Sequence, residues 1–308
     1  MADIRSLPVP QGLAGERVDA GLGRLLGVSR SRAALLADEG RVLVDGVIVG
    51  KSHRLVEGEW LSVELPPVEQ PPPPQPVAGL SVIHEDPDLV VINKPAGVAA
   101  HPSPGWQGPT VVGALLAMGM RLADAGPAER QGIVHRLDAD TSGVMVVAKS
   151  EHAYSALKQA FRNREVLRQY HAVVEGVLTD PKGVIDAPIG RHPQHPYRMA
   201  ITSDGRPART RYEVVESYSA ATLLGLELET GRTHQIRVHV EAIGHPCMGD
   251  PVYNTNAHEW LKRQWLHAVK LGFQHPTSSQ WVEYTSTYPD DLQQVLHILR
   301  SKTHELGG

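Results

Sequence analysis

Two stretches of this sequence gather more ionisable groups than a folded chain tolerates without a use for them. In Gly132–Ser150, GIVHRLDADTSGVMVVAKS, a strand-like Ile133-Val134 runs into a turn dense in charged and hydroxyl side chains, and a β-branched strand resumes at Val144. Polar groups between two buried strands cost free energy unless they are paired or perform chemistry, which singles out Asp138 as the candidate carboxylate. Making turn hydrogen bonds is the alternative role for Asp138 and Ser142 and the preferred one for Asp140 and Thr141. In Glu229–Gly244, ETGRTHQIRVHVEAIG, Thr233 can cap a helix that turns Ile236, Val240 and Ile243 inward and ends at Gly244. Arg237 then stands in the first turns beside the apolar stripe, where a guanidinium is part-buried and needs a carboxylate. A helix start is also a place to hold an anion. Which carboxylate meets Arg237 is left open. A third stretch, Arg168–Gly176 (RQYHAVVEG), puts Tyr170 and Ala172 on one strand face. By pattern Tyr170 is core; against a nucleobase it would offer a stacking face.

These groups need a scaffold. Leu89–Ile92 reads as a buried strand ending in the turn Lys94-Pro95-Ala96-Gly97. Further strands are expected over Gly143–Ala148, Tyr170–Val174, Arg211–Glu216 and Ala221–Leu228, with helices near Val111–Met118, Tyr154–Phe161 and His234–Ile243. Long irregular connections without βαβ alternation predict an α+β fold with a mixed sheet. The prolines between Pro66 and Pro76 predict a semi-rigid spacer over 67–78, separating a small domain (1–66) from a larger one (79–300) and a tail (301–308). In the small domain Val18, Leu22, Leu25 and Leu26 mark one helix, and Ser29 can cap a second holding Ala33, Leu36 and Ala37. RVLVDGVIVG then reads as a hairpin around Asp45-Gly46, with Val42, Val44, Val47 and Val49 on one face.

With 308 residues, 41% hydrophobic and 21% charged, the chain is neither disordered nor fibrous. The single cysteine, Cys247, excludes an intrachain disulfide and a Cys-rich zinc knuckle and points to a reducing compartment. No apolar run approaches the roughly 20 residues of a membrane span, and the start has no signal-peptide core, so a cytoplasmic protein is expected. A net charge of -4 excludes a basic coat, so any polyanion must meet local charge. Two patches offer it: Arg191, Arg198, Arg206, Arg209 and Arg211 lie in a stretch with one acid, Asp204, and Arg24, Arg30 and Arg32 lie in the acid-free stretch Ala20–Ala37. Lys262 stands where a second histidine after His258-Glu259 would complete a metalloprotease motif. No GxGxxG follows a strand and no GxxxxGK[ST] occurs, so neither a metal nor a nucleotide cofactor is expected.

In their order and spacing INKPAGVAAHP, HRLDADTSG, RQYHAVVEG and TGRTHQIRVHVEAIGHP resemble the RluA/RluD family of pseudouridine synthases. The resemblance runs from Glu16 to about Pro289 and includes Gly249-Asp250-Pro251-Val252-Tyr253 and Arg263–Ala268. It implies the pseudouridine synthase fold with a largely antiparallel sheet, and an isomerase needing no cofactor. Asp138 would be the catalytic aspartate, Arg136 the residue filling the stack when the target nucleotide leaves it, Tyr170 the ring on the flipped uracil, and Arg237 the basic partner of the aspartate. Arg191, Arg198 and Arg209 would contact phosphates near the cleft. Residues Glu16–Leu65 resemble the αL RNA-binding motif of a small-subunit ribosomal protein, which nominates Arg30, Arg32, Arg41 and Lys51 as RNA contacts. The expected partner is large-subunit ribosomal RNA, free or in a pre-ribosomal particle, and the expected state a monomer. A transfer RNA substrate, or a non-catalytic ribosome-assembly protein on the same fold, are the alternatives.

Overall fold

The computed structural model describes residues 3–27, 30–65, 73–103, 105–125, 128–195, 197–256 and 258–306. Ser29 and most of the proline run, 66–72, fall outside these. The chain forms two compact units, Met1–Gln70 and Pro71–Gly308.

In the first unit the elements are β1 (Asp3–Pro8), α1 (Val18–Leu26), α2 (Arg30–Asp38), β2 (Val42–Val44), β3 (Val47–Ile48) and β4 (Trp60–Leu65), with sheet order β1-β4-β2-β3. Asp45 (φ 48°) and Gly46 (φ 81°) both take the left-handed region, as a two-residue hairpin turn requires. Val18, Leu22, Leu36, Val42 and Leu61 fill the core. Val47 does not join Val42, Val44 and Val49 there. It is 66% exposed, because β3 is a two-residue edge strand with no neighbour beyond it.

The second unit comprises β5 (Ser81–Glu85), β6 (Leu89–Lys94), α3 (Val111–Ala117), β7 (Ser142–Ala148), α4 (Glu151–Asn163), β8 (Leu167–Glu175), β9 (Lys182–Asp186), β10 (Ile189–Arg191), β11 (Met199–Ile201), β12 (Arg209–Ser217), β13 (Ala221–Leu228), α5 (Gln235–Ala242), β14 (Leu266–Gln274), β15 (Trp281–Thr285) and α6 (Asp290–Leu306). The main sheet runs β5-β6-β7-β14-β8-β13-β12-β9, with β15 on β14. It is mixed and largely antiparallel: β7 and β14 run parallel and the other described pairs antiparallel. β6 and β7 are buried along nearly their whole length, which is why their sequences read as unbroken apolar runs. The Thr110 and Ser150 hydroxyls cap α3 and α4 by accepting from the N–H groups of Gly113 and Ala153.

Four further local expectations change. Ile243, expected to turn inward from α5, is 37% exposed at the C-terminal end of that helix. Ile133-Val134 makes only a bridge to Val147, and Val146 donates its N–H to the His135 ring at 3.1 Å, so residues 132–135 seal the edge of β7 without forming a strand. The residue before α5 is His234, not Thr233; it adopts φ 55°, and the Gln235 side chain accepts the Arg232 N–H in place of a capping hydroxyl. α6 crosses residue 300 and runs to Leu306, with Leu292, Val295, Leu296 and Leu299 packed in a cluster with Trp265 and Val173.

The register places the chemistry. Ala268 on β14 pairs with Gly143 on one side and Tyr170 on the other, so the turn that precedes β7 lies beside the middle of β8. Gly143 has φ 124°, and a Cβ there would lie 2.3 Å from the Ala268 carbonyl oxygen, so only glycine allows this approach.

Candidate active site

The turn carrying Asp138 is pinned from several sides. Thr141 donates its N–H to the Asp138 carbonyl at 3.1 Å, closing the turn. The Ala139 carbonyl accepts from Val98 N–H and from the Lys94 ammonium at 2.8 Å. Arg263, held by Asp291, donates to the Asp140 carbonyl at 3.1 Å and to the Ser142 hydroxyl at 3.3 Å, and Gln264 donates to the Thr141 hydroxyl at 3.2 Å. Lys94 is fully buried and spends its donors on three carbonyls, those of Pro95, Val98 and Ala139. Burial pushes its ammonium down to about 7, against the pull of Asp138. A lysine in a Lys-Pro turn reads as a surface residue, and nothing local in the sequence distinguishes this one.

Arg237 is 4% exposed on the first turn of α5 and meets two carboxylates. Its Nε and Nη2 donate to Asp250 at 2.6 and 2.8 Å as a bidentate pair, and its Nη1 donates to Asp138 Oδ2 at 3.3 Å. Burial opposes the charge, yet the bonds to Asp250, aided by Asp138, hold the guanidinium above its ordinary pKa. Asp250 is itself oriented by the N–H groups of Val252 and Tyr253. The carboxylate that the sequence left open is thus chiefly Asp250, with Asp138 on the remaining nitrogen. Asp250 was visible only as part of the Gly249–Tyr253 motif.

His234 completes the surroundings. Its Nε2 lies 3.9 Å from Asp138 Oδ2, and its Nδ1 shares a hydrogen bond of 2.9 Å with the Tyr253 hydroxyl. Burial holds the imidazole below its ordinary pKa, against the attraction of Asp138. A left-handed non-glycine residue at such a place stores strain that its neighbours must hold. Asp138 Oδ1 has no hydrogen bond among the described residues, which leaves it available to a ligand.

These residues meet in a cleft of about 480 Å³. Asp138 is the one acid in its lining among the described residues, while Arg130, Arg136, Lys158, Arg162, Arg168 and Arg232 add positive charge around Arg237. Tyr170 lies in the wall, 7% exposed, and burial raises its phenol pKa. Leu228, Ile236 and Leu266 supply apolar surface. A planar, neutral, hydrogen-bonding group on a polyanionic chain suits this combination.

Of the residues singled out in the sequence, Asp138, Arg136, Tyr170 and Arg237 come together here. Arg198 and Arg209 do not line the cleft: Arg198 pairs with Glu241 at 3.0 Å, and Arg209 lies 3.4 Å from Glu229 and 3.6 Å from Asp186. Arg191, at the end of β10, is also absent from the lining. In the first unit Arg30 pairs with Asp19, Arg41 with Glu39 and Glu64, and Lys51 with Asp38. The Arg32 side chain is outside the described residues. No described helix is long and apolar enough to cross a membrane.

Residues 88–242 match the family described as RNA pseudouridylate synthase. The chain is 54% identical over 310 residues to an RNA pseudouridine synthase of Mycobacterium bovis, covering 98% of this chain and 100% of that one. It is 43% identical to ribosomal large subunit pseudouridine synthase D of Nitrosomonas europaea, covering 97% of this chain and 88% of that one. Among solved structures it is similar to human RNA pseudouridylate synthase domain containing 1, with a TM-score of 0.57, 26% identity, and coverage of 74% of this chain and 97% of that chain. With fold, cleft and relatives in agreement, the chain belongs to the RluA-type RNA pseudouridine synthases, isomerases that convert uridine to pseudouridine.

Proposed function

We propose that this enzyme acts on uridines of large-subunit ribosomal RNA, as free RNA or within an assembling particle, and works as a monomer. The observation that carries the reading is a lone carboxylate, Asp138, in an arginine-lined cleft beside Tyr170. The relatives named for the large ribosomal subunit support the choice of RNA.

The reaction breaks the bond between N1 of uracil and C1′ of ribose, turns the base, and joins C5 to C1′. C5 loses a proton and N1 gains one, so nothing is oxidised or reduced. The target nucleotide must leave its helix, at a cost of a few kcal/mol, offset by Arg136 filling the gap and by Tyr170 stacking on uracil. Asp138 then acts on the sugar or the base. It attacks C1′, attacks the ring, or removes the C2′ proton to give a glycal, and its free Oδ1 serves any of these. Arg237, anchored by Asp250, holds the carboxylate in place. In the Met1–Gln70 unit, Arg30, Arg32 and Arg41 add contacts to structured RNA. Arg191, Arg198 and Arg209 form an outer set of contacts, in which Arg198 and Arg209 exchange a carboxylate for a phosphate.

The test maps pseudouridine by carbodiimide modification and primer extension in ribosomal and transfer RNA from cells lacking the protein, then complemented with it. The reading expects marks to vanish from large-subunit ribosomal RNA and to return on complementation. Loss from transfer RNA alone would move the substrate. Survival of every mark, with no turnover by the purified protein on transcripts, would overturn the reading.

A further inference from the structure

Among the described residues of the second unit three arginines are buried, and they differ in what neutralises them. Arg237 has Asp250 and Asp138, and Arg263 has Asp291. Arg168, 8% exposed, has no carboxylate among the described residues. Its Nη2 donates to the Leu228 carbonyl at 3.0 Å, its Nε is buried without a partner, and its Nη1 carries no hydrogen bond among the described residues. A guanidinium has five N–H donors, and a buried one left short of acceptors and of a counter-charge is costly.

The surroundings accommodate this state. Arg168 stands two residues before Tyr170 on β8, so both project from the same face, and both line the cleft. Its guanidinium carbon lies 5.7 Å from the centre of the Phe161 ring. The turn before α5 leaves room for it: a Cβ on Gly231 would lie 2.8 Å from Nη1. The glycine of one motif therefore makes space for the arginine of another.

We propose that Arg168 binds a phosphate of the target nucleotide through Nη1, which carries no hydrogen bond among the described residues and, unlike Nε, is not sealed from the cleft. The assignment rests on the uridine-isomerase reading of this cleft and names one of its substrate contacts. A uracil carbonyl could accept a hydrogen bond but would leave the buried charge uncompensated. A phosphodiester supplies both an acceptor oxygen for Nη1 and the negative charge.

The test is a cycle between protein and RNA. The mapped target uridine is placed in a short synthetic RNA whose 5′ or 3′ flanking phosphate is replaced by a neutral methylphosphonate. Then kcat/KM is measured for wild type, Arg168→Met and Arg168→Lys on native and substituted RNAs. One methylphosphonate is expected to lower the wild-type value by about tenfold or more, and Arg168→Met to do the same on native RNA. Combining the two should cost little more, because both remove one contact. Arg168→Lys should fall in between, keeping charge but not the placement of Nη1. If Arg168→Met fails to fold, Arg168→Lys carries the cycle. Losses that simply multiply at both phosphates would overturn the proposal and leave Arg168 as a brace for the Leu228 carbonyl, with wild-type turnover of native RNA still upholding the isomerase reading. A wild type inert on native RNA would instead remove that reading and this assignment with it.

Discussion

The stretch Arg191–Arg211 and the cleft wall are both rich in arginine, but they are in different electrostatic states. In the stretch, Arg198 pairs with Glu241 and stacks on Tyr253 with its guanidinium carbon 5.0 Å from the ring centre, while Arg209 and Arg211 share Glu229. In the cleft, Arg130, Arg136, Lys158, Arg162, Arg168 and Arg232 have no carboxylate partner among the described residues. A paired cation must surrender its carboxylate to take a phosphate, whereas one without a carboxylate surrenders at most water or a neutral acceptor, as Arg168, Lys158 and Arg232 would. Density of arginine along a chain therefore says less about a polyanion site than the number of cations in space that lack acids. The cleft meets the second criterion, with Asp138 the one acid of its lining among the described residues.

The largest effect should come from breaking the buried pair. Asp250→Asn leaves Arg237 without its main partner and should cost about 3–5 kcal/mol of stability in urea unfolding and lower turnover about a hundredfold. Asp186→Asn, which removes an exposed partner of Arg209, should cost less than about 1 kcal/mol by the same measurement.

A second contrast lies in pH. Behind the Asp138 turn, His267 is fully buried between the hydroxyls of Ser142 and Ser286, and burial pushes its imidazole down to about 4. Its unfolded value is near 6.5, so between these values the unfolded chain binds a proton that the folded one refuses. That contribution is complete above pH 6.5 and is lost as pH falls toward 4, up to about 3 kcal/mol. Unfolding followed against pH should show this slope in the wild type and a shallower one in His267→Gln.

The smallest effect is expected in the salt dependence of RNA binding. Arg136→Ala and Arg232→Ala should each reduce the salt slope of RNA binding by about 0.7–0.9, the value of one phosphate contact. Arg198→Ala and Arg211→Ala should each change it by less than half as much. Equal slopes for the two sets would erase the distinction drawn between stretch and cleft.

How far the sequence could be read follows the same physics. The β6 and β7 runs and the hairpin at Asp45-Gly46 were legible because burial on both faces and a two-residue turn leave local signatures. Asp138 and Arg237 stood out as charged residues in apolar settings, whereas Tyr170 read as core by its pattern, and only the family resemblance joined the three. Lys94 and Asp250 were not, because their burial is compensated by groups distant in the chain: Ala139 for Lys94, Arg237 for Asp250. His234 was missed as well, since its conformation is imposed by its contacts with Tyr253 and the cleft and not by any capping signal. The ion pairs that occupy Arg198 and Arg209 come from Glu241, Asp186 and Glu229, none adjacent to its arginine in sequence.

The proposed division of labour gives Asp138 the chemistry and the cations around it the RNA. It is tested most directly by measuring pseudouridine formation and RNA affinity together for wild type and Asp138→Asn on one RNA bearing the mapped uridine. The account predicts turnover lower by at least about a thousandfold, with the dissociation constant changed by less than about threefold. Turnover within about tenfold of the wild type, in a variant that binds RNA normally, would contradict it.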